Sequence, residues 1–379
     1  MIESMSDRIR QARISAGLTQ TELAGRLGVT QSTVNRWEGG RHDPSREMAA
    51  RIAEAVDVTT QWLEIGEGEP GDALQASTTG ISDHRKQKTS DLFSPLLRYV
   101  DNPVIAYQGV PGAYSHLSCT EAFPTLKPLS CASFEDAFAA VETGRAGLAM
   151  IPIENSLGGR VADIHHLLPE SSLYIVGEHF QPVHHNLLAP KGATLEGIKE
   201  ARSHPQALAQ CRETLRELKI KPVSRADTAG SAADVAELGD PTIAAVASSL
   251  AAETYGLDVL RSRIEDRIGN VTRFVIMSRT RIEPDPLDGP SMTSFVFTVR
   301  SVPASLYKSM GGFATNGVNM IKLESYISVA DYSIARFYAE IEGHPAERHV
   351  DRAMEELQYF TTRVKMLGTY KQNPFRFQD

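Results

Sequence analysis

Apolar positions fall into three successive patterns along the chain. From Asp7 to Ile65 they recur at helical spacing in short blocks whose starts carry hydroxyls. Thr19 stands three residues before Glu22 as in a capping box, and Thr30 is expected to cap a helix that puts Val34 and Trp37 on one face. Across 104–280 short apolar runs alternate with helical blocks. Strands are expected at 104–107 and 148–153, near Pro222-Val223, and in the run after Asn270, with helices opening at Ser203-His204 and Asp227-Thr228, which is the pattern of an α/β domain. The rest reads as a strand at 294–299, a helix at 304–316, strands at 318–326 and 333–341, a helix at 346–359 and a strand at 364–367, in the order β-α-β-β-α-β.

These patterns predict a multidomain chain. Residues 1–65 form an all-α head and 66–101 a linker, because Gly66-Glu67-Gly68-Glu69-Pro70-Gly71 and the polar run through Lys88 carry few apolar residues and no period. Within that linker 92–100 is a short helix leading onward. Residues 102–281 form the α/β domain and 292–371 a ferredoxin-like α+β domain.

Composition narrows the function classes. A formal net charge of −8 over 379 residues excludes a chain-wide affinity for nucleic acid or membrane and leaves room for a local patch. Cys119, Cys131 and Cys211 are scattered without ligand spacing, so reduced, buried thiols are expected, with no metal and no cofactor. With no long apolar span and no leader pattern, the cytoplasm is the expected compartment.

In the head, the second and third helices with the turn at Gly28-Val29 make a helix-turn-helix. From Leu18-Thr19-Gln20 through Leu23-Ala24 and Gly28-Val29 to Trp37-Glu38 and Arg41 the segment resembles the lambda-repressor-like family. The resemblance implies a third helix in the DNA major groove, with Gln31 and Ser32 nearest base edges, Thr33, Asn35 and Arg36 on bases or phosphates, and Gln20 as a further contact. A helical docking module without DNA is the alternative. Residues 1–65 hold eight arginines against nine acids, so non-specific binding is expected to be weak and operator affinity to come from base contacts and from two paired copies.

The most informative stretch is Asn270-Val271-Thr272-Arg273-Phe274-Val275-Ile276, a strand whose mouth carries a hydroxyl, a guanidinium and a ring. Upstream, the turn Gly109-Val110-Pro111-Gly112 leads to a helix start at Tyr114-Ser115, and 148–153 ends in Glu154-Asn155-Ser156. Backbone amides at such helix starts suit anions without many full charges. Together with Ser133-Phe134-Glu135-Asp136, His204-Pro205-Gln206, Asp227-Thr228-Ala229-Gly230-Ser231 and Thr272-Arg273-Phe274, these pieces stand in the order and at the spacing of prephenate dehydratases, which the segment 104–280 resembles.

That resemblance implies a fold like the periplasmic binding proteins, with lobes of about 104–180 plus 257–280 and 182–256. It also implies loss of CO2 and the ring hydroxyl from prephenate to give phenylpyruvate. Thr272 is the match for the hydroxyl that assists the departing oxygen, with Phe274 beside it in the catalytic motif as a ring-packing or positioning residue more than a chemical one. A threonine hydroxyl is a poor acid, so Thr272 is expected to orient and hydrogen-bond while a relay or water supplies the proton. Ser115, Asn155, Ser156, Gln206 and Ser231 are the expected substrate contacts. Arg273 either binds a substrate carboxylate or pairs with an acid of the other lobe, Glu154 holds the loop, and His204 either caps its helix or touches substrate. His165, His166, His184 and His185 are expected to be structural.

The C-terminal segment resembles the ACT domains of phenylalanine-regulated dehydratases through Val302-Pro303-Ala304-Ser305-Leu306, Asn316-Gly317-Val318-Asn319 and Glu324-Ser325. Leu306, Asn319, Glu324 and Ser325 are the implied effector contacts, in paired domains of a homodimer or homotetramer. Ala304 stands where the family has glycine, and Tyr326-Ile327 replaces its Arg-Pro, which leaves purely structural dimerisation as the alternative. Two further functional readings stay open: arogenate as substrate, and a transcription regulator whose dehydratase body only senses.

Overall fold

A computed structural model describes residues 4–377 except 17, 57, 59, 66–91, 162–163, 301 and 329–330, so most of the expected linker lies outside the described residues, as do the side chains of His165 and Ile327. The chain gathers into two compact units, one of Met1–Asp91 with His184–Asn270 and the other of Leu92–Val183 with Val271–Gln378.

The head has helices α1 (Met5–Ser15), α2 (Gln20–Leu27), α3 (Gln31–Glu38), α4 (Arg46–Ala55) and α5 (Thr60–Ile65). Its core is the apolar stripe read from the sequence: Ile9, Leu23, Leu27, Val34, Trp37 and Ile52 are all buried. The capping box at Thr19 and Glu22 closes the start of α2, and Gly28 at φ 70° ends it in the left-handed conformation. Thr30 departs from expectation. It stands at the N-cap of α3 without a capping bond, because its hydroxyl is drawn to Ser32 Oγ and Thr33 Oγ1, each at 2.9 Å.

Next come β1 (Val104–Gln108), α6 (Tyr114–Ala122), β2 (Lys127–Cys131), α7 (Phe134–Glu142), β3 (Leu148–Asn155), β4 (Gly159–Arg160), α8 (Ile164–Glu170) and β5 (Tyr174–Pro182). Residues 92–100 are part of this unit and not a tether: a 3-10 helix, Ser94–Tyr99, follows a Phe93 that is buried against Phe123 and Phe274. The expected linker therefore ends about ten residues early, because Leu92, Phe93, Leu96 and Leu97 make an apolar stripe.

A second sheet belongs to the other unit. It contains β6 (Asn186–Ala189), β7 (Glu200–Ser203), α9 (Pro205–Gln210), α10 (Arg212–Glu217), β8 (Lys221–Ser224), α11 (Thr228–Leu238), β9 (Ile243–Ala247), α12 (Ser249–Tyr255) and β10 (Asp258–Arg261), with strand order β10-β6-β9-β7-β8. The pairing of β10 with β6 corrects the expected boundary: 257–270 belongs to this unit, and the chain leaves it only at Val271.

Strand β11 (Val271–Ser278) returns to the first sheet, in the order β2-β1-β3-β11-β5 with β4 on β3. The parallel strands β1 and β3 have their carboxyl ends at the edge where the antiparallel β11 begins, and the edge of an α/β sheet is where ligands gather.

The chain closes with β12 (Ser291–Val299), α13 (Ser305–Thr315), β13 (Met320–Ser328), β14 (Asp331–Glu342), α14 (Arg348–Phe360) and β15 (Thr361–Lys371), its sheet ordered β13-β14-β12-β15. One face packs Phe295, Phe297 and Phe337 against Phe313 and Leu357 of the two helices. The other face joins the first sheet, where Tyr338, Leu367 and Tyr370 share a core with Ile151, Val275 and Met277. Contact there is close: a Cβ at Gly368 would stand 1.9 Å from the Ile175 carbonyl oxygen, so no other residue fits.

Candidate active site

Thr272 and Asn155 face each other across the β3–β11 pair, and Asn155 Nδ2 donates to Thr272 Oγ1 at 2.9 Å. The donor is locked from behind, since Asn155 Oδ1 accepts the amides of Leu157 at 3.1 Å and Gly158 at 2.7 Å. With Asn155 donating to its oxygen, Thr272 is set to donate its own hydroxyl proton. Ser156 works on the backbone: its hydroxyl accepts the Val271 amide at 2.9 Å, and its amide donates to the Val271 carbonyl at 2.8 Å, closing the mouth of β11.

On the other side Thr272 faces Gln181 of β5, which sequence reading missed. Gln181 is buried and its Oε1 accepts from Ser118 Oγ of α6 at 3.3 Å and lies 3.1 Å from His179 Nε2. No local signal marks these residues, because register between distant strands selects them.

The glycine turn behaves as expected. Gly109 and Gly112 have φ of 119° and 85°, and α6 starts beyond them with Ser115 half-buried in its first turn. His116, also missed, lies parallel to the Tyr107 ring at 5.2 Å and accepts the Gly112 amide on Nδ1 at 3.0 Å. Burial lowers its pKa, so it is a neutral imidazole at pH 7 with its proton on Nε2.

The three residues of the Thr-Arg-Phe motif have three destinations. Thr272 and Phe274 point to the α6 side of the sheet by alternation, but Phe274 lies one step deeper, 1% exposed in the core with Tyr107 and Phe123. Its grouping with the catalytic residues is corrected to the ring-packing role also expected of it, since it has no face open to a ligand. Arg273 points to the opposite side and is 3% exposed.

Five polar contacts take up the five N–H groups of Arg273. Nε donates to Glu178 at 2.8 Å, Nη1 to Glu154 at 3.0 Å and Glu340 at 2.8 Å, and Nη2 to Glu340 at 2.9 Å and the Tyr370 hydroxyl at 3.1 Å. The expected substrate-carboxylate contact therefore gives way to pairing with acids, but these come from its own sheet and the C-terminal domain and not from the other lobe as expected. Arg376 adds a second fork on Glu178, at 2.6 and 2.7 Å. Burial pushes the Glu178 carboxyl up, but the Arg376 hydrogen bond and the charges of Arg273 and Arg376 outweigh it and hold it below the usual carboxylate range.

The model of the prephenate dehydratase family matches residues 105–282. A bifunctional N-acyl-homoserine lactone acylase/prephenate dehydratase from Komagataeibacter europaeus is 49% identical over 72% of this chain and 97% of its own length. The chain belongs to the prephenate dehydratase family. An arogenate dehydratase/prephenate dehydratase from Arabidopsis thaliana is 39% identical, covering 73% of this chain and 71% of its own. A solved structure described as prephenate dehydratase in complex with L-Phe, from Arthrobacter aurescens, superposes with a TM-score of 0.66 at 28% identity, over 71% of this chain and 90% of that one. A helix-turn-helix family model matches residues 9–63.

Two of the family's motifs fall on the second sheet, at the carboxyl ends of its parallel strands. His204 caps α9, its Nδ1 accepting the Gln206 amide at 3.2 Å, and Gln206 is exposed. Asp227 caps α11 by accepting the Gly230 amide. Ser231 is corrected as a substrate contact: it is 1% exposed and its hydroxyl donates to the Asp227 carbonyl at 2.6 Å, the usual fate of a helical serine. His184 lies 3.0 Å from Glu265, and His185 is buried on Gln210 at 2.8 Å.

In the C-terminal domain of this dehydratase a cavity of about 540 Å³ is lined by Arg300, Val302, Ala304, Leu306, Tyr307 and Phe337, among others. Of the expected effector contacts Leu306 lines it and Asn319, Glu324 and Ser325 do not. Asn319 donates to Glu342 at 3.0 Å, Glu324 pairs with Lys322 at 3.2 Å, and Ser325 is exposed. Ala304, the N-cap of α13, has φ 62° and ψ 17°, a left-handed conformation that glycine adopts more readily than alanine. We predict that Ala304→Gly raises the unfolding free energy by about 1 kcal/mol, read from denaturant midpoints at constant slope.

In the head, Gln31, Ser32, Asn35 and Arg36 are exposed on α3 and Thr33 is half-exposed. Gln20 is fixed by donating to Glu38 at 2.9 Å and accepting from Gln31 at 3.2 Å, and Arg13 holds Glu38 from the other side. Among the described residues no helix is long and apolar enough to cross a membrane.

Proposed function

We propose that this chain converts prephenate, by loss of CO2 and the ring hydroxyl, into phenylpyruvate, with Thr272 as the donor to the departing oxygen. The observation that carries this is the 2.9 Å bond from Asn155 to Thr272 Oγ1, which presets the threonine as a donor. As the C–O bond breaks, charge builds on the leaving oxygen, and a fixed donor stabilises that charge more than the substrate's neutral hydroxyl. The electron pair of the C–CO2 bond enters the ring as the hydroxyl departs. One proton is consumed per turnover, and CO2 and water leave beside phenylpyruvate. Thr272 supports the hydrogen bond, and the net proton comes through solvent.

The amides at the start of α6 suit a carboxylate, with Ser115 as the contact, whereas Asn155 and the amides of its turn are spent on Thr272, Val271 and one another. The α/β domain is read as having a fold like the periplasmic binding proteins, and on the second sheet Gln206 stands exposed at a capped helix start. The C-terminal domain is read as an ACT domain. Arg300 and the first turn of α13 suit an amino acid's carboxylate, and Val302, Leu306 and Phe337 suit an aromatic side chain, which fits phenylalanine as effector in a homo-oligomer. The head is read as a DNA reader through Gln31, Ser32, Asn35 and Arg36.

Purified chain is given prephenate or arogenate, with and without phenylalanine, and product is followed by absorbance. Turnover of prephenate, slowed by phenylalanine, is expected. No turnover of either substrate sinks the dehydratase reading, and a rate indifferent to phenylalanine sinks the effector. An N-acyl-homoserine lactone is included because the 49%-identical relative is named for both activities. For the head, binding to DNA from the chain's own promoter is expected to be sequence-selective and to weaken with salt; equal binding to scrambled DNA counts against a reader.

A further inference from the structure

The β3–β11 pair presents two successive rungs, Asn155 with Thr272 and Glu154 with Arg273. Because side chains alternate, the first rung faces α6 and the second faces the C-terminal sheet. Glu154 is gripped on both oxygens. Oε1 accepts from Arg273 at 3.0 Å, and Oε2 accepts the ammonium of Lys322, from strand β13. Lys322 is 10% exposed at its side chain and also lies 3.2 Å from Glu324. A residue of the C-terminal domain thus holds the peptide unit directly before the turn that aims Asn155 at Thr272.

We infer that Lys322 is a positioning residue for dehydration: it fixes Glu154, and through it the Asn155 turn and the Thr272 hydroxyl. The inference rests on Thr272 as the donor for the substrate side of its effect. Catalytic hydrogen bonds depend on sub-ångström placement, and a shift of about 1 Å costs up to about a hundredfold in rate. Arg273 still holds Glu154 when Lys322 is lost, so the fold is retained while the turn loses one of its two anchors.

The test uses the full chain with Lys322→Met and Lys322→Arg, reading amide hydrogen exchange and steady-state kinetics together. The amides of Ser156, Leu157 and Gly158 report on the turn, since they bond to Val271 and Asn155. Lys322→Met is expected to speed their exchange at least about tenfold and to lower kcat about tenfold with KM within about twofold; Lys322→Arg restores both. Unchanged exchange at 156–158 overturns the inference whatever the kinetics, and so does faster exchange spread evenly over β14 and β15, which marks a merely structural role. If the wild type turns over no prephenate but the exchange response is local, Lys322 still fixes the Asn155 turn and the substrate reading falls.

Discussion

Thr272→Ala is expected to lower kcat on prephenate by at least about a hundredfold, with KM changed little and the unfolding midpoint nearly unmoved. The size follows from what is removed. Loss of one preorganised transition-state donor costs about 2.7–4 kcal/mol, and a hydroxyl that donates only as the C–O bond breaks acts on kcat rather than on binding. Stability changes little because Thr272 is half-exposed at the mouth of β11 and its side-chain bond to Asn155 is a single neutral one. Thr272→Ser keeps the hydroxyl and should stay within about tenfold of wild type, whereas Thr272→Val keeps the shape and should resemble alanine. Wild-type rates in the alanine variant would remove Thr272 from the chemistry.

Arg273→Met is expected to destabilise the chain by about 3–5 kcal/mol, enough for poor expression. The guanidinium is held by Glu178, Glu340 and Glu154, of which Glu178 and Glu340 have fully buried side chains. Removing the cation leaves two buried carboxylates, with Arg376 as the remaining nearby partner of both. Arg273→Lys should recover little, because an ammonium cannot reproduce five donors in a planar fork. Chemical denaturation at pH 7 measures the loss, and a deficit below about 1 kcal/mol would show the cluster to be dispensable.

The same cluster sets an acid limit. Glu178 and Glu154 both have lowered pKa values. For Glu154 burial acts upward and is outweighed by the Lys322 hydrogen bond and the charges of Lys322 and Arg273. A carboxyl with a lowered folded pKa adds stability that is fully present above its unfolded value, about 4.3, and is lost as pH falls through the folded one. The thermal midpoint should therefore hold near neutrality and fall below about pH 4, and Glu178→Gln should flatten that fall.

Local chemistry made the head and the catalytic strand readable. Thr19 with Glu22, Val34 with Trp37, and the strand from Val271 are written in neighbouring residues, and tertiary structure has little to add. Partnerships between distant segments were not readable. Gln181 and His179 come to the site through the β5–β11 register, and Arg273 finds Glu340 and Tyr370 in another domain. Phe274 stands in the catalytic motif only as a neighbour of Thr272 and Arg273, and alternation sends it inward to the packing role its ring suggests. The boundary at 257–270 was misplaced because β10 pairs with β6, a strand some seventy residues earlier, and no composition change marks that return.

The meeting of Gly368 with Ile175 has an evolutionary consequence. A C-terminal domain borrowed from another enzyme would need a glycine at that point of its last strand, and acids and a lysine matching Arg273 and Glu154, before it could seat at all. Lineages that exchange this domain as a cassette should therefore inherit the seam residues of both partners together, and chimeras joined near residue 285 should fail unless the seam travels with the graft.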